Sequence, residues 1–273
     1  MKSHILFFVF LICTASAHAQ FYYKDLLMPK QTSEQLQKYK TYKIRAIKAT
    51  SSESNTGSAD GIQVQQEFNQ DYSTVTTISR TPSNESHLLT TYNPSGLLIK
   101  SVDTTDGASS TTEYNYDPAN QVSRVLNISA SSGQAIEKEE HIWKYVNRAP
   151  VSMWKIRNNR DTTYIDFILD EKGNIVEENS RRNNLSLIPY YYYYDDKGRL
   201  TDIVHYNPIA KRLLPDYIFE YDGSGKLRSM MVVPPSGDYQ KWMYSYDERG
   251  LKTKEAVYNK GRQLLGTVEY RYE

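Results

Sequence analysis

Apolar and polar positions alternate along this chain in short runs. Ile218 to Tyr221 and Trp242 to Tyr246 are rich in β-formers, and Leu200 to Tyr206 and Leu227 to Val233 continue as extended segments beyond a short polar turn. Each such pair reads as a hairpin. The aromatic or aliphatic residue that closes the strand before each turn falls at Phe68, Tyr92, Tyr116, Tyr145, Leu169, Tyr194, Tyr221 and Tyr246. The spacing is roughly 25 residues, which marks an internal repeat. The pattern predicts an all-β chain: a single antiparallel β-meander of repeated hairpins, forming a curved and twisted sheet of about seven or eight hairpins.

The turns carry their own chemistry. The clearest copies run Tyr194 to Leu200 (YDDKGRL), Tyr221 to Leu227 (YDGSGKL) and Tyr246 to Lys252 (YDERGLK), with weaker ones at Tyr92, Tyr116 and Leu169. Asp or Asn after the aromatic bonds its own backbone two residues on, and Gly or Asn three residues later takes positive φ. The copy from Tyr145 to Val151 lacks both the Asp and the Gly. Ahead of the repeats, Thr32 to Gln35 offers a helix N-cap and capping box, and Leu36 and Tyr39 share a helical face, predicting a short N-terminal helix from Ser33 to Lys40. A first strand follows at Lys43 to Ala49, and then a Ser/Gly/Asp-rich loop at Thr50 to Gly61. The meander leaves its terminal strands as weak edges, and the helix is expected to cap or cross one end and protect an edge from pairing.

The phrase Tyr-Asp-x-x-Gly-x-Leu at this spacing resembles the YD repeat, also called the RHS repeat, of bacterial surface and secreted proteins. The resemblance runs from about Phe68 to the C-terminus and is strongest in the last three copies. It implies a continuous β-meander, which in long toxin-related members curls into a shell around a cargo. With few repeats and no toxin segment after Gly250, this chain resembles a short secreted member in which no shell is expected. The resemblance carries over no catalytic residue.

The first residues change the domain picture. Met1 to His4 is mildly basic, Ile5 to Cys13 is apolar, and Ala17-His18-Ala19 is a small-x-small cleavage site, which together describe a signal peptide. The expected division is residues 1–19 signal peptide, 20–41 N-terminal helical cap segment and 42–273 YD-repeat-like β-meander domain. Cys13 is the only cysteine and lies in the signal, so the exported chain has no disulfide, which fits a bacterial periplasm or a cell-surface or extracellular location. No stretch approaches the roughly 18 apolar residues of a transmembrane helix. An outer-membrane barrel is set aside because strands such as Leu200, Asp202 and Val204 lack a clean lipid-facing apolar row.

Composition narrows the chemistry. Lys and Arg number 33 against 32 Asp and Glu, interleaved without blocks, so nucleic acid is not an expected partner. There are 24 tyrosines, while only Phe21, Phe68, Phe167 and Phe219 lie beyond the signal. Tyrosine buries its ring and keeps its hydroxyl near water, so the run at Tyr190 to Tyr194 reads first as the cover of a thin sheet. Tyr190, Tyr192 and Tyr194 point to one face, and Tyr191 and Tyr193 to the other. Its excess over the sister copies makes Tyr190, Tyr191, Tyr192 and Tyr193 the candidate ligand-binding residues. The turn aspartates explain themselves as turn formers and not as calcium ligands. His87, His141 and His205 stand in no metal-ligand spacing. His141, after Glu137 to Glu140, reads as a solvated, charged strand end, and His205 as a sheet-face residue.

No catalytic residue, metal or cofactor is expected. The expected function is that of a secreted, non-enzymatic repeat protein whose concave sheet face, lined by Tyr, Trp and Arg, binds a carbohydrate, peptide or protein partner at the cell envelope. A cell-envelope polymer hydrolase is the alternative, and it requires a pocket that brings His141 or His205 against two acids with perturbed pKa values. A purely structural surface protein is the remaining reading.

Overall fold

The structure is a computed structural model that describes residues 20–54, 61–234 and 236–273. The expected signal peptide and residues 55–60 of the Thr50 to Gly61 loop lie outside the described residues; Thr50 to Glu53 belong to the first strand. The chain opens with a π-helical segment (Tyr22–Leu27) that runs into α1 (Met28–Thr41). The strands that follow are β1 (Ala46–Glu53), β2 (Gln63–Phe68), β3 (Thr74–Arg80), β4 (Glu85–Tyr92) and β5 (Leu98–Thr105). Next come β6 (Ala108–Tyr116), β7 (Val122–Ser131), β8 (Gln134–Val146), β9 (Ala149–Arg157) and β10 (Asp161–Leu169). β11 (Ile175–Arg182), β12 (Leu185–Ser186), β13 (Tyr190–Tyr194), β14 (Leu200–Asn207) and β15 (Arg212–Tyr221) continue the series, and β16 (Leu227–Val232), β17 (Gln240–Tyr246), β18 (Lys252–Asn259) and β19 (Leu264–Tyr272) complete it.

Neighbouring strands pair antiparallel throughout, as the hairpin pattern requires, but the sheet is not an open meander. β1 pairs with β2 on one side and with β19 on the other, from Ile47 opposite Tyr272 to Glu53 opposite Gly266. The Ala46 amide donates to the Glu273 carbonyl at 3.0 Å and the Glu273 amide to the Ala46 carbonyl at 2.9 Å, which seals the seam. Because β12 pairs only with β11 before β13 takes over, the result is a closed barrel of 18 strands. The expected weak terminal edges therefore do not exist, and these few repeats do enclose a space. Alternation of apolar and polar residues defines two faces but not whether the last strand returns to the first.

The turns follow the predicted chemistry closely. Asp195 Oδ1 accepts from the amides of Lys197 (3.0 Å) and Arg199 (2.9 Å), the Gly198 amide donates to the Asp195 carbonyl, and Gly198 has φ +74°. The same double acceptance recurs at Asp117, Asp170 and Asp222. A one-residue register shift precedes each of these turns, as between Tyr193 and Tyr194, so the tyrosine or, at Asp170, the leucine before the Asp sits on a bulge. The copy at Tyr145 makes a different turn: Asn147 and Arg148 both take positive φ, a two-residue hairpin loop that needs neither the Asp nor the Gly.

The repeated tyrosines do more than cover the sheet. The hydroxyls of Tyr116, Tyr145, Tyr194, Tyr221, Tyr246 and Tyr272 donate to the carbonyls of Leu98, Val122, Ile175, Leu200, Leu227 and Lys252, at 2.6–2.9 Å. Each acceptor is the residue just past the turn of an earlier hairpin. The first five hydroxyls thus tie one turn to another around the rim, and Tyr272 ties the final strand to the turn before β18, which phenylalanine is unable to do. On the outer face the strands are laced by ion pairs, with Lys100 opposite Glu113 (2.7 Å), Lys254 opposite Glu269 (3.2 Å) and Arg124 reaching Glu140. A lipid-facing strand presents an apolar row instead. No helix among the described residues is long and apolar enough to cross a membrane.

The N-terminal helix lies inside the barrel. Its rings touch the wall on every side: Tyr39 meets Phe68 and Tyr272, Tyr23 meets Tyr217 and Phe219, Tyr22 meets Tyr192, and Phe21 meets His141. Pro29, Ser33, Leu36 and Tyr39 form its buried stripe, the face expected from Leu36 and Tyr39. Helical structure nonetheless begins well before Ser33, and the expected capping box is not made. Ser33 instead turns its hydroxyl to the wall and accepts the Leu98 amide at 3.2 Å. The aromatic run Phe21 to Tyr23 and Pro29 concealed the earlier start, because Pro29 has no N–H for the Asp25 carbonyl and crowds it. The wider π-helical turn stands immediately before that proline.

Tyr221→Phe, which keeps the ring and removes one rim hydrogen bond, is expected to lower stability by about 1 kcal/mol in urea unfolding with an unchanged m-value. Gly198→Ala has open space for its Cβ, so its cost is conformational alone, about 1–2 kcal/mol.

Candidate functional site in the barrel interior

Two acidic groups join the helical segment to the wall. Glu178, projecting inward from β11, is fully buried. Its carboxylate accepts the backbone amides of Gln20 (3.0 Å), Phe21 (3.4 Å) and Tyr22 (3.3 Å) and the Tyr192 hydroxyl (2.7 Å). Burial raises its pKa, and the Tyr192 hydroxyl and the three amides work against that rise.

The second is Asp25, on the π-helical segment. One of its oxygens meets His141 Nδ1 at 2.6 Å and accepts the Trp143 indole N–H at 3.0 Å. The other imidazole nitrogen faces Glu139 at 3.0 Å, and Glu139 also pairs with Lys155 at 2.8 Å. Burial pulls the imidazole toward neutrality, but the charges and hydrogen bonds of Asp25 and Glu139 outweigh it and hold His141 protonated up to about 9. Burial likewise opposes the Glu139 charge, and His141 and Lys155 overcome it, holding the carboxyl down to about 2. Trp143 stacks on Phe167 at 5.0 Å, and the Phe21 edge closes over His141.

Between the helix and the wall lies a cavity of about 500 Å³. It reaches from β5–β9 on one side to β15–β18 on the other, with Gln20 to Thr32 as its floor. Aromatic surface comes from Tyr114, Tyr217, Trp242 and Tyr244, and hydrogen-bonding groups from Thr112, Asn127 and Gln240. Its charges nearly balance. Lys155 pairs with Glu139, and Lys252 with Glu255 at 2.6 Å, while Asp25 is bound to His141. Lys24 lines the same cavity and takes part in no ion pair among the described residues.

The expected ligand residues divide as the strand period requires. Tyr190 and Tyr192 face inward and are buried, with Tyr192 under Tyr22 and bonded to Glu178; Tyr193 is exposed on the outer face, and Tyr191 is half-buried beside it. None of these tyrosines lines the cavity. His141 is not a solvated strand end: it lies within β8, faces inward and is 3% exposed. His205 is a sheet-face residue, with its Nδ1 at 2.8 Å from Asp216. Asp25 was not singled out from sequence. The one signal for it is an acid on a helix ahead of a strand bearing His141 and Trp143, and that pairing is long-range. Among the described residues no cluster of His, Cys, Asp and Glu is arranged to hold a metal ion.

No protein-family model and no curated protein matches the chain. Among solved structures it is similar to a porin-like protein from Bacteroides uniformis, with TM-score 0.41 and 9% identity over 84% of this chain and 98% of that one. A porin-like protein from Bacteroides vulgatus gives TM-score 0.31 and 9% identity over 83% and 97%. The Photorhabdus luminescens Tc holotoxin pore gives TM-score 0.34 and 17% identity over 80% of this chain and 12% of that chain.

Asp25→Asn removes the charge of one of the two carboxylates that flank a buried cation and is expected to cost about 2–3 kcal/mol. It should also lower the imidazole pKa of His141 from about 9, read by NMR titration. The linkage has a definite sign in the parent protein. His141 titrates higher folded than its ordinary 6.5, so its contribution is complete below about 6.5 and is lost as pH rises through about 9. Glu139 titrates lower than its ordinary 4.5, so its contribution is present above about 4.5 and is lost as pH falls through about 2. Urea midpoints measured across pH should therefore decline on both sides, and Asp25→Asn should flatten the alkaline side.

Proposed function

We propose that this is an exported, non-enzymatic binding protein of the cell envelope whose barrel interior takes up a short carbohydrate. The observation that carries this reading is the cavity, which combines aromatic faces at Tyr114, Tyr217, Trp242 and Tyr244 with amide and hydroxyl groups at Thr112, Asn127 and Gln240. Sugar rings offer C–H faces that pack on aromatic rings and hydroxyls that need donors and acceptors, and a site mixing the two is suited to them. Lys24, Lys155, Lys252 and protonated His141 face Asp25, Glu139 and Glu255, so one positive charge is left over. That surplus favours a sugar bearing one acidic group. The Tyr, Trp and Lys lining of the inner wall supports a binding face there, although the arginine expected on such a face is absent from the cavity lining. The charged outer face and the predicted leader support a periplasmic or surface location.

A hydrolase has one observation in its favour, since His141 does meet two acids at the edge of the cavity. The ionisation argues against it. An imidazole protonated up to about 9, with both nitrogens occupied by carboxylates, has no lone pair to accept a proton near neutral pH.

A glycan array of neutral and uronic-acid-bearing oligosaccharides is expected to retain acidic members, with binding changing the fluorescence of Trp242. Lys24→Ala should weaken those members about tenfold, about 1.4 kcal/mol, while leaving the urea midpoint and any neutral binding unchanged. An array that retains nothing above background removes the carbohydrate reading.

A further inference from the structure

Glu178 is a fully buried carboxylate of the barrel wall with no cation beside it among the described residues. It is 0% exposed and takes part in no ion pair among the described residues; every partner it has is neutral. A buried carboxylate normally has a cation or a metal beside it, since desolvation penalises an isolated charge heavily. The nearest donor to its Oε1 is the backbone nitrogen of Gln20, at 3.0 Å, and Gln20 is itself 6% exposed. Gln20 is also the residue that the Ala17-His18-Ala19 site would leave at the start of the processed chain.

We propose that Glu178 is the receptor for the chain terminus made by leader cleavage: the α-ammonium of Gln20 takes this carboxylate as its ion-pair partner and fastens the helix inside the barrel. The proposal rests on the leader read from the sequence and is independent of the carbohydrate reading. Cleavage is hydrolysis by a leader peptidase of the exporting cell. One water is consumed, its oxygen joining the Ala19 carbonyl carbon as that carbon's bond to the Gln20 nitrogen breaks. Ala19 departs as a carboxylate, and the nitrogen, left as an amine with a proton from water, takes a second proton and becomes cationic. Its ordinary pKa of about 7.7–8.0 already makes it largely charged at neutral pH, and a carboxylate at hydrogen-bond distance increases that.

The backbone at Gln20 agrees. Its φ is +137°, in the region that L side chains rarely adopt. That angle exists only while Gln20 is bonded to a preceding residue, so cleavage removes the constraint. Phe21 and Tyr22 then keep their amides on Glu178 as they are.

The chemistry of an N-terminal glutamine supplies the test. Such a residue cyclises when its uncharged amine attacks its own side-chain amide and expels ammonia, so a protonated amine held by Glu178 is withheld from the reaction. The full chain is exported from a bacterial host, and the purified protein is analysed by mass spectrometry before and after prolonged warming below its unfolding temperature. The wild type is expected to begin at an open Gln20 and stay open, whereas Glu178→Gln, similar in shape but neutral, should lose one ammonia at least tenfold faster. A second measurement needs no variant: acylation of the Gln20 α-amine should be at least tenfold slower in folded wild type than in the same protein in urea. A terminus elsewhere than Gln20 overturns the proposal together with the leader reading. A terminus at Gln20 that cyclises equally fast in both proteins, or is acylated equally fast folded and unfolded, overturns the proposal alone.

Discussion

A ring of this many strands is too wide to be filled by its own side chains. Eight strands leave room for little more than packed residues, whereas barrels of 16 to 18 leave an aqueous lumen. The insertion of the N-terminal helix is therefore the interaction on which the rest depends. It lets Leu36 and Tyr39 share one apolar cluster with Phe68, Trp143, Ile165, Tyr192 and Phe219, residues that stand on distant parts of the wall. Without it those side chains would face water across an open channel, and closure between β1 and β19 would enclose nothing.

The repeat handles the rim and the helix handles the middle. At the rim, the Asp-bearing turns satisfy their own amides through the aspartate, and the tyrosine hydroxyl takes up a carbonyl left near another bulge. Buried polar backbone is costly unless paired, and a bulge is where pairing fails. This accounts for the preference for tyrosine over phenylalanine more fully than sheet coverage does. In the middle, the helix meets a wall that the repeat does not specify, and there the contacts are individual. Gly96 shows how close the approach is: a Cβ at that turn would stand 2.1 Å from Nε2 of Gln37 on the helix.

What was legible in the sequence follows this division. The turns, the strand alternation at Tyr190 to Tyr194 and the helical stripe at Leu36 and Tyr39 are set by neighbours in sequence, and they stand where local reasoning puts them. Closure is not local: nothing in Ala46 to Glu53 states that its second partner is Leu264 to Tyr272. The same holds for the interior. Asp25 and His141 lie on different elements far apart in the chain, so the charge run at Glu137 to Glu140 resembles a solvated end while its alternate members face opposite sides of the wall: Glu139 turns inward to His141, and Glu140 outward to Arg124. The site is least legible where it depends on the helix being inside.

That dependence also joins folding to binding. The floor of the cavity is the segment from Gln20 to Thr32, and its two opposing walls belong to strands that the ladder connects only by going around the ring. Neither wall alone forms an enclosed site; the helix creates it by dividing the lumen. The polar anchors at Glu178 and Asp25 then have a purpose that apolar packing serves poorly. An apolar helix surface slides and rotates at little cost, whereas a carboxylate that must receive three named amides, and an imidazolium fixed between two acids, admit one register. The register sets where Lys24 and Tyr23 stand against Trp242 and Tyr244, and so fixes the shape of the cavity.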